Sequence, residues 1–388
     1  MCYTLIWVAP QKFIIAFVPL REVEGRKLFL LSQNKNKEDN MKTQSFNEIE
    51  NLTKEYSMIP ICKEIYADVI TPIQLLRKME AFDKNFFLLE SVEGGEKWAR
   101  YSFLGYEPVL HITCKNGKVT QKSGEIEHTV TADPMDALRQ LLHKYKSPKI
   151  EGMPTFTGGF VGYFGYEMIG YAELKLNIKD SEFDDYNLML FDKVIVYDHL
   201  KQKIMVIANM KSKDGIQGYN TALLEIEKMI ALINDQRKLP VLEADKDVKF
   251  KCNVTKEEYC RMIEKTKHYI KEGDIFQGVI SRRFVADYKS SLINSYRVLR
   301  TTNPSPYMYF IQSDDLQIAG ASPETMVKLV DGKLTTFPVA GTRPRGVNDE
   351  QDKTLEKELL ADEKELAEHN MLVDLARNDI GRIAKYGS

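Results

Sequence analysis

Glu356, Glu358, Asp362, Glu363, Glu365, Glu368 and His369 crowd into one short stretch of the sequence. Glu365 and Glu368 are three residues apart and would share one face of a helix, as would Glu358 and Asp362 at four apart. Paired carboxylates of this kind are the hard oxygen donors that Mg²⁺ takes. The same residues also describe an ordinary solvated face. Taken alone, the solvated face is the stronger reading, and two details weaken it. Like charges at this spacing destabilise a bare helix, and the uncharged run Met371-Leu372-Val373 follows directly, which carries the helix into a core. Upstream, Gly341-Thr342-Arg343-Pro344-Arg345-Gly346 sets a hydroxyl and two guanidinium groups between glycines. That is the chemistry of an anion-binding turn or of an exposed basic loop. Ser322-Pro323-Glu324 follows a short strand-like run and is a weak signal alone. In Gly273-Asp274-Ile275-Phe276-Gln277 a glutamine stands in an apolar stretch. A buried amide must find hydrogen-bond partners, so Gln277 is either structural or turned towards a site.

Other chemistry is absent from the pattern. There is no GxxxxGK[ST] phosphate loop and no GxSxG elbow. His111, His128, His143, His199 and His268 show no ligand spacing. Cys2, Cys62, Cys114, Cys252 and Cys260 form no CxxC pair, and a sparse, odd count suits a reducing compartment. Lys plus Arg is 54 against 56 for Asp plus Glu, a net charge of -2 that excludes a broadly basic nucleic-acid binder. A hydrophobic share of 43% with 28% charged residues describes a soluble globular chain. No apolar run of membrane-spanning length occurs. The apolar start is interrupted by Pro10, Gln11, Lys12 and Pro19 and reads poorly as a signal peptide. A cytoplasmic protein is expected.

Elements that would position these groups can be read from periodicity. Pro72 to Phe82 has helical spacing with proline at the first position. Phe86 to Ser91 is a short apolar strand, and Tyr101 to Gln121 is strand-like around an Asn116-Gly117 turn. Asp133-Pro134 opens a helix through His143. Gly158 to Tyr166, GGFVGYFGY, demands close backbone approach. Leu188 to Tyr197 and Lys203 to Ala208 are strands, and Ile216 to Leu232 is an amphipathic helix. Thr255 to Glu258 is a capping box for a helix to Tyr269. Asp274 to Ser281 is strand-like, Leu292 to Thr301 helical, and Met308 to Phe310 and Gln317 to Ala321 are strands. Thr325 to Val330 and Lys333 to Pro338 form a hairpin across Asp331-Gly332. A final helix spans Thr354 to Asn370. Strands and helices that do not alternate strictly favour an α+β fold over a doubly wound sheet. Residues 30–50 read as a polar linker containing Met41. Residues 1–40 are therefore expected to be an extension, the alternative being a true N-terminal strand pair.

Taken together, several segments resemble the large, aminating component of anthranilate synthase, in the chorismate-utilising enzyme family. They are LLESVEGGEKWARYSFLG (88–105), GGFVGYFGYE (158–167), GDIFQGVISRRF (273–284), NPSPYMYF (303–310), IAGASPETMVKL (318–329), PVAGTRPRG (338–346) and ELLADEKELAEHNMLVDLARNDIGRIAKYGS (358–388). The resemblance covers residues 45–388. It implies an α+β fold of large antiparallel sheets with flanking helices. Residues 45–240 would be a tryptophan-regulatory region and 250–388 part of the chorismate-binding catalytic region. It implies Mg²⁺, and a reaction in which ammonia adds to chorismate, the 4-hydroxyl leaves, and pyruvate is eliminated to give anthranilate.

Residue roles follow from the same resemblance. Glu324 would protonate the leaving hydroxyl. Glu368 would bind Mg²⁺, with Glu365 beside it as ligand or acid/base partner. Thr342 would lie near the departing group, and Gly341 would supply backbone approach. Gln277 stands where water-adding relatives carry a lysine base. Ammonia needs no such base. Ala340 stands where many aminodeoxychorismate synthases carry a nucleophilic lysine, which sets that alternative second; a non-catalytic regulatory remnant is a third. Glu90 and Ser91, with Pro306, Tyr307 and Met308, match the tryptophan pocket of feedback-inhibited members. Gly278 replaces a usual valine and is expected to loosen the strand that presents Gln277. A glutamine amidotransferase subunit would deliver the ammonia. The family continues beyond a KYGS-like segment with a catalytic histidine, a second Mg²⁺ glutamate and the substrate-carboxylate clamp. Hence a C-terminally truncated, incomplete fold, inactive alone, is expected of these 388 residues.

Overall fold

The computed structural model describes residues 4–7, 13–19, 43–91, 100–130, 133–178, 180–242, 245 and 248–388. Two antiparallel sheets face each other. The nine-stranded sheet runs, in spatial order, Lys333–Thr335, Thr325–Val330, Thr4–Trp7, Phe13–Pro19, Gly159–Gly165, Tyr186–Phe191, Leu110–Lys115, Lys118–Ser123 and Ile126–Val130. The seven-stranded sheet runs Leu316–Ser322, Tyr307–Ser313, Asn85–Glu90, Tyr101–Tyr106, Lys193–Asp198, Lys203–Lys211 and Met58–Tyr66. The apolar start of the chain thus supplies two strands of the larger sheet.

Period-2 alternation assigns the side chains to layers. Phe87, Leu89, Val161, Met189, Phe191, Tyr309 and Ile311 fill the core between the sheets. Phe86, Leu88 and Phe310 point the other way, where Leu75, Leu76, Met79, Ile226, Met229, Ile293 and Tyr296 cover the seven-stranded sheet. Phe160, Phe164, Leu188 and Leu190 meet Ala137, Leu138, Leu141 and Leu142 on the outer face of the larger sheet. The result is helices outside and two sheets inside, the mixed helix-and-strand architecture with large antiparallel sheets that the sequence implies. The glycine-rich strand is needed for its closeness: a Cβ on Gly162 would lie 2.0 Å from the Asn187 carbonyl oxygen of the paired strand.

Local signals hold where chemistry is local. The helix Pro72–Glu80 is capped by Thr71, whose side chain accepts from the Gln74 amide at 3.3 Å. Thr255 and Glu258 exchange their capping-box bonds at 3.2 and 2.8 Å ahead of Lys256–Glu272. Asn116-Gly117 and Asp331-Gly332 each turn with positive φ at both residues. Four expectations change. The run 188–197 is two strands, Tyr186–Phe191 and Lys193–Asp198, and the chain steps from one sheet to the other at Asp192. The run 274–281 forms no strand; it folds back on helix Lys256–Glu272, with Tyr259 donating to the Ile280 carbonyl at 3.0 Å. The second arm of the Asp331-Gly332 hairpin stops at Thr335. The expected final helix is two helices, Asp349–Ala361 and Glu363–Gly381, broken at Asp362 because its carboxylate accepts from the amides of Lys364 and Glu365 at 3.1 and 3.2 Å and starts a new helix.

Candidate active site

Glu324 lies at the crossing between the two sheets. Leu316–Ser322 is the edge of the smaller sheet and Thr325–Val330 belongs to the larger one. Pro323 breaks the ladder between them, and the Glu324 amide donates to Ser322 Oγ at 3.4 Å. The half-buried Glu324 side chain lines a groove of about 240 Å³, opposite Leu372, Leu375, Ala376 and Asp379 of helix Glu363–Gly381.

That same helix carries Glu365 and Glu368 one turn apart, both half-buried. Positions 365, 368, 372, 376 and 379 follow helical spacing along one stripe. The carboxylates and the Glu324 groove therefore share a surface, with about 10 Å of helix axis between Glu365 and Leu372. The Gly341–Gly346 loop closes the other end. A Cβ on Gly341 would sit 2.5 Å from Glu365 Oε2, so glycine lets the helix carboxylate lie directly over the loop backbone. Arg343 then clamps the helix start: its Nη2 donates to Asp362 Oδ2 at 2.7 Å, and its Nη1 is 3.7 Å from Glu365 Oε1. The Glu365 amide that Asp362 accepts, together with Arg343, holds the Asp362 carboxyl below its ordinary range. Two signals that are separate in sequence, the anion-type turn and the acidic helix, lie against each other. Thr342 is exposed beside it.

Gln277 is exposed in the irregular segment, next to Phe276 at 89% exposure, and no described contact joins it to Glu324, Thr342 or the acidic helix. Gly278 packs against helix Lys256–Glu272. A Cβ there would lie 2.6 Å from Thr266 Cγ2, and Thr266 is itself held by its hydroxyl donating to the Met262 carbonyl at 2.9 Å.

The second group of expected residues is brought together by strand pairing. Asn85–Glu90 lies antiparallel to Tyr307–Ser313 with Met308 opposite Glu90, although more than 200 residues separate them in the chain. Ser91 follows the first strand and Pro306 precedes the second. Glu90 is buried, its side chain 1% exposed. Its Oε1 accepts from the Tyr296 hydroxyl at 2.7 Å and its Oε2 from Arg300 Nη2 at 2.9 Å; Arg300 Nε also donates to Oε1. Ser102 Oγ is 3.5 Å from Oε2 and 2.7 Å from His199 Nε2. Burial pushes the His199 imidazole below its ordinary value, against the pull of Glu90. Tyr296 and Arg300 carry no sequence signal of their own, and the pairing of Arg343 with Asp362 cannot be read from the two motifs that contain them. Each is one polar residue on an amphipathic helix or in a loop, and only the long-range contact gives it a role.

The chain is similar to known proteins over most of its length. The family described as chorismate binding enzyme matches residues 84–388. Anthranilate synthase component 1 of Acetivibrio thermocellus is 42% identical over 355 residues, covering 89% of this chain and 72% of the relative. The Aquifex aeolicus (strain VF5) protein of the same name is 40% identical over 361 residues, covering 89% of this chain and 71% of the relative. The crystal structure of anthranilate synthase component I from Streptococcus pneumoniae TIGR4 matches with a TM-score of 0.64 and 34% identity, covering 82% of this chain and 69% of that one. With Glu324, the Gly341 turn and the Glu365–Glu368 helix face assembled on that shared fold, the chain belongs to the chorismate-binding enzymes, in the group of anthranilate synthase component I.

Proposed function

We propose that this chain carries the aminase chemistry of anthranilate synthase, converting chorismate and ammonia to anthranilate and pyruvate, with Mg²⁺ at the site and tryptophan as feedback inhibitor. The observation that carries the reading is the closure of the Gly341 turn onto Glu365, within reach of the groove lined by Glu324. Glu365 and Glu368 fit the metal. They are hard donors on one helix face, and Glu365 already faces one cation, the Arg343 guanidinium at 3.7 Å. Among the described residues no three His, Cys, Asp or Glu side chains form a complete shell, and Mg²⁺ commonly takes one or two carboxylates with water and substrate oxygens. When bound it would neutralise carboxylate charge on the substrate. Glu324 serves as proton donor to the departing 4-hydroxyl, Thr342 offers a hydroxyl beside it, and the neutral Gln277 amide leaves ammonia as its own nucleophile. In this reading Glu90, Ser91, Pro306, Tyr307 and Met308 form the effector pocket. Ammonia comes from glutamine through an amidotransferase subunit, since ammonium has no lone pair to attack with. No helix among the described residues is long and apolar enough to cross a membrane. The four described cysteines are free, which supports a cytoplasmic setting.

Product identity tests the proposal. The chain is assayed alone and fused to the C-terminal part of the Acetivibrio thermocellus relative that lies beyond the match, with chorismate, Mg²⁺ and ammonium. Anthranilate is read by fluorescence and other products by chromatography. Anthranilate from the fusion, lost in Glu324→Gln and with Glu368→Gln weakening Mg²⁺ binding in calorimetry, is the expected result. Isochorismate or an amino-deoxychorismate as the main product, or no chorismate consumption by a folded fusion, would overturn it.

A further inference from the structure

We propose that Arg300 is the carboxylate-binding residue of the effector pocket, and that with Glu90 it reads the two charges of a free α-amino acid. This rests on the reading that Glu90, Ser91, Tyr307 and Met308 form that pocket. An amino acid brings one positive and one negative group, a few bonds apart. The sequence supplies a carboxylate for its ammonium and apolar groups for its side chain, but no partner for its carboxylate. Burying that anion beside Glu90 alone would place two like charges together in a desolvated site.

The structure places one cation there. Arg300 meets both oxygens of Glu90 through Nε and Nη2, from helix Ile293–Thr302 packed against the strand that carries Met308. The pair is neutral as a unit. Its side-on geometry leaves the two N–H groups of Nη1 without a partner among the described residues, and the Arg300 side chain stays 27% exposed while Glu90 is sealed. An ammonium would meet the sealed Glu90 side chain only as the pocket opens, and then at Oε2. Oε1 is saturated by Tyr296 and Arg300 Nε, but Oε2 has one strong bond, from Arg300 Nη2, and only the long 3.5 Å approach of Ser102. Ser102 has its closer partner in His199 at 2.7 Å. A zwitterion set here would alternate charges, Arg300 to carboxylate and ammonium to Glu90, with no net charge buried. Tyr296, fully buried with its hydroxyl on Glu90, is a positioning residue that holds the acceptor oxygen for this arrangement.

Calorimetric titration of the 388-residue chain with L-tryptophan and with tryptamine, which lacks the carboxylate, tests this. Wild type should bind tryptophan at least about 10-fold more tightly than tryptamine, the scale of one charge-assisted hydrogen bond. In Arg300→Gln the tryptophan affinity should fall by about that factor while tryptamine is held, so the ratio of the two collapses towards one. Arg300→Lys, which keeps the charge and tolerates the buried Glu90, should restore part of the ratio and carries the test where the glutamine variant fails to fold. A purely structural pair would weaken both ligands alike. An unchanged ratio in a folded Arg300 variant overturns the assignment and leaves the pocket standing. Absence of tryptophan binding to wild type overturns the pocket, and the assignment with it.

Discussion

The Glu90–Arg300 pair makes a quantitative prediction about stability that is independent of any ligand. Glu90 is sealed at 1% side-chain exposure and Arg300 is open at 27%. Removing Arg300 strands a buried carboxylate on the Tyr296 hydroxyl and the distant Ser102 hydroxyl. One-sided loss of a buried pair costs about 3–5 kcal/mol, and water reaching the open side should bring Arg300→Met to about 3 kcal/mol. Glu90→Gln keeps the shape and an acceptor oxygen, and the guanidinium it abandons can hydrate, so about 1–2 kcal/mol is expected. The double variant leaves no charge behind. It should fall short of the summed single effects by about 2 kcal/mol, the coupling between contacting groups. Urea unfolding followed by far-ultraviolet circular dichroism measures all four corners, with unchanged slopes expected. Additive effects to within about 0.5 kcal/mol would refute the claim that these groups act as one buried unit.

Three further outcomes are expected. Ser91→Phe should abolish calorimetric tryptophan binding with little change in the unfolding midpoint, since the ring fills a place next to Glu90 at the strand end; retained binding would separate Ser91 from the pocket. Gly278→Val should lower stability by about 1–3 kcal/mol through its clash with the Thr266 methyl, and Thr266→Ala should relieve part of this; a stabilised valine variant would show that the glycine does loosen the segment. The depressed His199 pKa makes the unfolded state the better proton binder below the ordinary imidazole value of 6.5, so the stability this group contributes is present above that value and lost as pH falls through the lower folded value. His199→Gln should flatten the pH dependence of the unfolding midpoint over that window, and parallel profiles would exclude His199 as its source.

Much of this protein was legible without its structure because the deciding interactions are short-range. Caps at Thr71 and Thr255, turns at Asn116-Gly117 and Asp331-Gly332, and alternating burial along Leu110–Lys115 follow from residue type and spacing. The motifs also marked the acidic helix and the glycine-bounded turn as candidates. Where periodicity misled, a non-local event had decided the matter. The run 188–197 reads as one strand because apolar residues flank Asp192-Lys193 on both sides, and only the facing of two sheets requires a step at Asp192. The run 274–281 has strand composition but no strand beside it among the described residues. Asp362 looks like a helical acid until its carboxylate caps the next turn.

Sequence alone determined which residue types could act: carboxylates at helical spacing, a glycine where a backbone must be approached, a strand end with a glutamate and a serine. Tertiary structure decided which of them meet. Gly341 faces Glu365 and Met308 faces Glu90 because the sheet register and the helix break at Asp362 put them there. The partners that set their charge, Arg343 on Asp362 and Arg300 on Glu90, lie 19 and 210 residues away in the chain. No local pattern encodes a contact at such separation, because the free energy that forms it comes from packing whole sheets and helices together.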